Sequence, residues 1–389
     1  MKPRGIEKVL VTGGAGFIGS HTVDLLVSQG YEASVFDSLE SQVHGVAAEF
    51  QPYVSEEAKR IRGDIHDLKA LESALEDVDA VVHLAAMVGV GQSMYEVRKY
   101  VDSNTTGTAG LLDIIIRKRD NIRKLVVASS MSIYGEGEYH CSRCEERVFP
   151  STRDIAQLEQ GDWEQHCPRC GSVLEPVATR EDKPLAPSSI YAQSKRHQEE
   201  MSLLVGETYG IPTVALRYFN VFGSRQALSN PYTGVTAIFL CRIMNGNQPY
   251  IFEDGKQSRD FIHVSDVAKA NLLGLEKSSA DYRALNVGTG SSTSVLNIAK
   301  GLIMLEGRQL RPQISQKYRK GDIRHCFADI SQAKKLLGFS PEVSLAKGLA
   351  ELCQWGLTES WTADDHFQQS LDDLCQRGLA SITSSISDP

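Results

Sequence analysis

Tyr191 and Lys195 stand four residues apart in a stretch of helical pattern running from about Ser189 to Tyr209, so their side chains share one helix face. An ammonium beside a phenol favours the phenolate. It would draw the Tyr191 pKa down from about 10, as a general base requires. Ser129 and Ser130 end the strand-like run Lys124–Ser129, at the edge where open parallel sheets bind ligands, and offer a hydroxyl to fix a substrate oxygen. Taken alone, the same spacing is met by a packed aromatic and a solvated lysine. What surrounds the pair decides.

A second group able to do chemistry is Gly13-Gly14-Ala15-Gly16-Phe17-Ile18-Gly19. It reads G-x-G-x-x-G from Gly14 and G-x-x-G-x-x-G from Gly13, follows the strand Lys8–Val11 and opens a helix through Gly19 to Gln29. Glycines there permit a tight turn and close approach to a pyrophosphate, and the helix start offers free N–H groups. Asp37 ends the second strand (Ala33–Asp37) 18 residues after Gly19. A carboxylate there accepts both ribose hydroxyls of NAD and repels the extra phosphate of NADP. Ser38 and Leu39 supply no basic partner for that phosphate. NAD is the expected cofactor.

A third group is Cys141-x-x-Cys144 and Cys167-x-x-Cys170, with 22 residues between the pairs. Four thiolates on two knuckles can close a tetrahedral shell around a structural zinc, although the spacer is longer than the commonest one. Two labile disulfides or unligated thiols are the alternatives. His140 and His166 read as bystanders, and Cys241, Cys326, Cys353 and Cys375 as small hydrophobes.

These residues need a frame. Continuous apolar strands, including Ala80–Leu84 and Thr213–Arg217, alternate with helical stretches and predict an α/β fold: a doubly wound parallel (Rossmann) sheet. Residues 1–217 form the NAD-binding domain, interrupted at 138–177 by a zinc-ribbon-like insertion. Residues 218–377 are mainly a smaller substrate-binding domain, with part of the chain returning to the sheet, and 378–389 a Ser-rich flexible tail. The formal charge of −8 over 389 residues, without a long basic stretch, argues against nucleic acid or a membrane surface as partner. No apolar run reaches the ~18 residues of a membrane span, and Met1-Lys2-Pro3-Arg4 begins no signal peptide. The expected location is cytoplasmic.

Together the residues resemble the extended short-chain dehydrogenase/reductases, specifically the NAD-dependent sugar-nucleotide epimerase/dehydratase family. The likeness runs from Lys8 to about Pro341. It is carried by Val11-Thr12-Gly13 through Ser20, Gly63-Asp64-Ile65, His83-Leu84-Ala85-Ala86, Asn104-x-x-Gly107-Thr108, Ser129-Ser130 with Tyr134-Gly135, and Tyr191-Ala-Gln-Ser-Lys195. Further along are Arg217-Tyr-Phe-Asn220, Arg259-Asp-Phe-Ile-His263, Asn286-Val-Gly-Thr-Gly290 and Arg319-Lys-Gly-Asp322. The resemblance implies that Ser130, four residues before Tyr134, is the catalytic hydroxyl beside Tyr191 and Lys195. Gly13, Gly16, Phe17, Ile18, Gly19 and Asp37 would hold the cofactor, Asp64 and Ile65 would flank its adenine, and Leu84, Ala85, Ala86 and Phe219 would pass beside it. Asn104 would brace the site. Asn220, Arg259 and Arg319 would take the substrate diphosphate, and the helices carrying Asn104 and Tyr191 would form a homodimer.

The reaction implied is NAD-dependent 4-epimerisation of a nucleotide-diphosphate sugar through a 4-keto intermediate, a step of carbohydrate biosynthesis. The likeness includes dTDP-L-rhamnose 4-epimerases and UDP-glucose 4-epimerases carrying a cysteine-bearing insertion. Cys326 stands where galactose epimerases gate the bulk at sugar C2, so N-acetylated sugars stay open, and Gln226–Gly234 is expected to line the cleft. Family dehydratases place an Asp-Glu pair just after the catalytic hydroxyl. Here Met131 and Ser132 stand instead, and neither does acid–base work. Other NAD-dependent dehydrogenation or reduction of a sugar nucleotide remains an alternative. A non-catalytic NAD-binding protein that docks through the cysteine module is the rival class. Against it, Arg143, Arg147 and Arg169 are offset by acids, and Ser130, Tyr191 and Lys195 are all retained. The insertion, anchored near the active site at both ends, is expected to form a lid or wall ordered by its metal.

Overall fold

Neighbouring residues of the apolar strands pack into two different cores, as a sheet covered on both faces requires. Val9, Val11, Val82 and Val126 enter one core, and Leu10, Val81 and Leu125 the other. The computed structural model describes residues 5–45, 49–359 and 363–381. Its seven-stranded sheet contains β1 (Lys8–Thr12), β2 (Glu32–Asp37), β3 (Lys59–Arg62), β4 (Ala80–His83), β5 (Lys124–Ser130), β6 (Thr213–Tyr218) and β7 (Arg283–Val287). Their order is β3-β2-β1-β4-β5-β6-β7, and every pairing is parallel. This is the doubly wound α/β arrangement. The order reverses between β1 and β4, which opens a crevice at their C-terminal ends.

The helices Phe17–Ser28 and Val264–Glu276 cover one face, and Gly107–Arg117 and Ile190–Tyr209 help to cover the other. A separate apolar core gathers the helices Val235–Met244, Val295–Leu305 and Leu345–Glu359 around Phe222, Phe239 and Ile298. The chain passes between the two cores more than once, because Val264–Glu276 and β7 return to the sheet. Within residues 138–177, Glu138–Cys141, Glu146–Val148 and Glu175–Val177 form a three-stranded antiparallel sheet with Glu138–Cys141 in the middle.

The expected flexible tail, 378–389, needs correction at its start. The Lys320 N–H donates to the Leu379 carbonyl, the Ser381 N–H donates to the Tyr318 carbonyl, and Ala380 is buried opposite Arg319. Backbone pairing and apolar burial hold these residues. Residues 382–389 lie outside the described ones. Among the described residues, no helix is long and apolar enough to cross a membrane.

After β1 the backbone turns at Gly13 with φ +67°, where a side chain would meet the Ala85 amide at 2.8 Å. A Cβ on Gly19 would stand 2.1 Å from the Gly13 carbonyl. Gly19→Ala is therefore expected to lower unfolding free energy by about 1–3 kcal/mol and to empty the protein of dinucleotide. Urea unfolding and the cofactor content of purified protein check this; unchanged content would discard the packing argument.

Candidate active site

The helix Ile190–Tyr209 starts where Ser189 caps it, its hydroxyl accepting the Ala192 N–H at 3.1 Å. Tyr191 and Lys195 then fall on the side that faces the end of β5. Ser130, the last residue of β5, accepts the Ser132 N–H at 3.2 Å and the Ser132 hydroxyl at 2.9 Å. Both bonds end on Ser130 Oγ, so its own proton is left to donate into the site. Ser130 also lies close enough to Tyr191 for its hydroxyl to favour the phenolate. Ser129 is buried, with no partner for its hydroxyl among the described residues. The structure thus brings Ser130, Tyr191 and Lys195 to one place.

The electrostatics of the pair differ from expectation. Burial pushes the Tyr191 phenol above its ordinary value, and the nearby Ser130 hydroxyl offsets only part of this. Burial also pulls Lys195 down to about 7, against the pull of Glu199 one turn further on. The expected lowering of Tyr191 by Lys195 is therefore not found in the protein by itself. Desolvation disfavours both charged forms at once, and a lysine pulled down to about 7 is a weak source of positive charge.

Asn104, expected to brace the site, holds this group together with residues to which sequence reasoning gave no role: His83, Tyr134, Glu199, Arg217 and Asn286. Asn104 lies in a single π-helical turn, Val101–Thr106, of the kind often found at functional sites. Its amide accepts the Met87 N–H at 2.7 Å and donates to the Met87 carbonyl at 3.0 Å and to Ser194 at 2.9 Å. It therefore ties the strap after β4 to the Tyr191 helix. His83 bridges Thr12 at 2.7 Å and Thr108 at 2.9 Å, and burial, then Lys195, pull it down to about 3, so it acts as a neutral spacer. Arg217 forms a two-pronged, buried ion pair with Glu199 and donates to Tyr134 at 2.7 Å. Tyr134 in turn donates to Asn286 at 2.7 Å. Arg217 and Asn286 sit in recognisable motifs, but only the folded contacts show that they clamp the turn following Ser130.

At the other expected cofactor positions, Asp37 accepts the Ala15 N–H at 3.0 Å and the Leu39 N–H at 2.9 Å, with His44 3.7 Å away. Those bonds fix the carboxylate beside the glycine turn. Gly16, Phe17 and Ile18 form the helix start, and the Ala85 amide donates to Thr12 at 3.3 Å beside Leu84 and Ala86. Ile65 is packed on Gly107, whereas Asp64 is exposed and accepts its own loop's His66 N–H at 2.9 Å. Phe219 is buried against Tyr134.

The substrate positions gather on the neighbouring substructure. Asn220 pairs in register with Phe261, and its side-chain oxygen is buried without a partner among the described residues. Arg259 is held by three carbonyls, whereas Arg319 bonds Asp322 at 2.7 Å and lies over the Phe252 ring. A cleft lined by Met94, Ser188, Ser189, Arg319, Asp322 and Leu374 joins Arg319 to the start of the Tyr191 helix. Cys326 is buried, 3.6 Å from Thr179. The loop Gln226–Gly234 folds toward the strap after β4, with the Tyr232 and Tyr95 hydroxyls 2.7 Å apart.

The sulfurs of Cys141, Cys144, Cys167 and Cys170 all lie within 4.8 Å of one another. The Cys141–Cys170 separation is 3.5 Å, too long for a disulfide, and all four thiols are free. Glu145 and Gly171, each following a cysteine pair, take positive φ and make the two knuckles. His166 bonds Asp162, and neither it nor His140 joins the cluster.

Comparison with known proteins matches residues 10–151 to a family model described as GDP-mannose 4,6 dehydratase, and residues 170–288 to one for the NAD dependent epimerase/dehydratase family. A dTDP-L-rhamnose 4-epimerase of Burkholderia thailandensis is 32% identical over 90% of this chain and 94% of its own. A UDP-glucose 4-epimerase of Thermotoga maritima, solved with UDP-glucose, matches with a TM-score of 0.73 at 30% identity, covering 90% of this chain and 99% of that one. The UDP-glucuronic acid 4-epimerase of Bacillus cereus, solved with UDP-glucuronic acid and NAD, matches at 0.73 and 27%, covering 90% and 99%.

The lowered Lys195 pKa carries a stability cost that is fully present below about pH 7 and relieved as pH rises toward 10.5, because the unfolded chain binds the extra proton throughout that window. Lys195→Met is expected to raise stability near pH 7 by about 1–4 kcal/mol and to flatten its rise between pH 7 and 10. Urea midpoints of cofactor-stripped protein across that range test it. A variant no more stable than the parent would contradict it.

Proposed function

Because the chain belongs to the NAD-dependent epimerase/dehydratase family, we propose that it inverts C4 of a nucleotide-diphosphate sugar. The observation that carries this reading is the meeting of Ser130, Tyr191 and Lys195 at the end of β5, with Met131 and Ser132 where a dehydratase needs its acid and base. Relatives and structural neighbours named as nucleotide-sugar 4-epimerases support it.

The residues fit NAD. A side chain on Gly13 or Gly19 would fill the space the turn keeps open, helix N–H groups face that turn, and Asp37 stands fixed beside it. NAD bound there supplies the hydride acceptor and later the hydride donor at sugar C4. Tyr191 takes the proton of the C4 hydroxyl and returns it at the end. Ser130 donates a hydrogen bond to the same oxygen, steadying it as its charge changes, because both bonds from Ser132 leave its proton free. Lys195, one turn from Tyr191 and with its charge weakened by burial, would help to hold the cofactor. Asn104 keeps strap and helix in register. The 4-keto sugar must turn before reduction from its opposite face, so it has to be held by the diphosphate, through Arg259, Arg319 and Asn220, and not by the sugar ring. dTDP-L-rhamnose and UDP-hexoses are the substrates to try first.

The four cysteines hold a structural zinc: sulfurs bonded to zinc at ~2.3 Å lie about 3.8 Å apart, close to the separations found. A cluster of reduced thiolates of this kind supports a cytoplasmic location. Exposed Val97, Val101 and Leu204, on the helices of Asn104 and Tyr191, support a homodimer through those helices. Inverting a nucleotide sugar would serve carbohydrate biosynthesis.

Offered UDP-, dTDP- and GDP-hexoses separately, the enzyme is expected to convert one class to its C4 epimer with no net change in NAD. Tyr191→Phe should lose about 10²–10⁴-fold in turnover while retaining NAD. A 4-keto-6-deoxy product would establish dehydration instead. Elemental analysis should find one zinc per chain, lost together with the inserted fold in Cys144→Ser. A metal-free wild type would overturn the zinc assignment.

A further inference from the structure

The inserted module meets the rest of the protein through charged groups, of which Arg153, Glu253 and Arg324 are buried and Glu164 and Asp254 partly so. Arg324 is fully buried, and every N–H of its guanidinium is used. Its Nε donates to Glu164; one Nη donates to Glu253 at 2.8 Å and Asp254 at 2.7 Å; the other donates to Glu164 at 2.5 Å and Asp254 at 3.1 Å. From the module, Arg153 forms a two-pronged pair with the same Glu253, at 2.8 and 3.0 Å, and donates to the Asp322 carbonyl at 3.1 Å. Glu164, also of the module, reaches His325 at 3.2 Å.

The backbone of this same segment sets Arg259. One Nη of Arg259 donates to the carbonyls of Ser258 at 2.8 Å and Arg324 at 2.9 Å, and the other donates to the Ile323 carbonyl at 2.7 Å. Of five N–H groups, three are spent inside the chain, which leaves the Nε–H and one Nη–H for a ligand. Residues 322–325 therefore have two sides. One is fastened to the module by Arg153 and Glu164, and the other aims Arg259. Burying this many charges is costly unless their geometry is enforced, and here the geometry fixes an arginine whose direction matters.

We propose that the cysteine module is a brace for the substrate diphosphate: Glu164 and Arg153, acting through Arg324 and the 323–324 carbonyls, are positioning residues for Arg259. This rests on the reading above that Arg259 takes a phosphate. It assigns the insertion to the nucleotide end of the substrate, whereas a lid would act on the sugar.

The test uses NAD- and zinc-loaded enzyme, with UDP and dTDP as probes in calorimetric titrations, followed by steady-state kinetics. Glu164→Gln removes the charge, and Glu164→Asp keeps it but withdraws it from Arg324. Each is expected to weaken nucleoside diphosphate binding and raise KM five- to twentyfold, with kcat within twofold and NAD content unchanged. In an Arg259→Met background the same changes should have less than twofold further effect, which a general loss of stability would not produce. The brace is overturned if both Glu164 variants bind the diphosphate as the parent does, or if their effect persists in full without Arg259. If Arg259→Met alone leaves binding unchanged, the phosphate assignment of Arg259 fails first, and the brace with it.

Discussion

The position of one helix against one sheet edge determines what this protein can do. Ile190–Tyr209 crosses the end of β5, and buried polar bonds along its inner side hold it there: Ser194 to Asn104, Gln198 to Thr108, and Glu199 to Arg217. Each is made away from water, where an unmade bond is costly, so the helix cannot slide or rotate by a residue without leaving several groups unpaired. Tyr191 and Lys195 inherit that precision. Ser130 is placed by the sheet itself, and the bonds from Ser132 decide which way its proton faces.

The same burial that positions the pair works against its charge. Desolvation raises the phenol and lowers the amine, so the protein by itself does not hold an ionised base ready. Such a site suits a chemistry in which proton and hydride leave the same carbon–oxygen unit together. It also makes the site a place where stability has been given up, since an apolar residue at 195 would be easier to bury.

The chain keeps two tasks in separate substructures. Under the proposed reaction, groups at the ends of β1, β4 and β5 would face the reacting end of the substrate. Arg259 and Asn220 belong to small sheets beyond β6 and Arg319 to a neighbouring loop bridged to Ala380, and the cysteine module is fastened to this part of the chain through Arg153 and Glu164. This division suits the proposed reaction, whose sugar must turn over while its nucleotide stays held. It also explains how a 40-residue insertion can interrupt the path from Ser130 to Tyr191 without separating them: Glu138 and Val177 are paired neighbours, so the insertion leaves and re-enters at one point.

Features written in local order were legible from the residues alone. Continuous apolar strands, the glycine turn, the Tyr-x-x-x-Lys spacing and the paired cysteines each depend on neighbours within a few positions, and they implied the doubly wound sheet and the candidate groups. β3, with its charged Lys59-Arg-Ile-Arg62 at the sheet edge, and β7, reached only after a long excursion, carry too little apolar pattern to be seen this way. Only the tertiary structure decided that Ser132 orients Ser130, that burial raises Tyr191, that the chain packs back at 379–381, and that the module grips the segment aiming Arg259. These depend on desolvation and on contacts between residues far apart in sequence. Such quantities belong to the packed interior and have no counterpart in the order of residues along the chain.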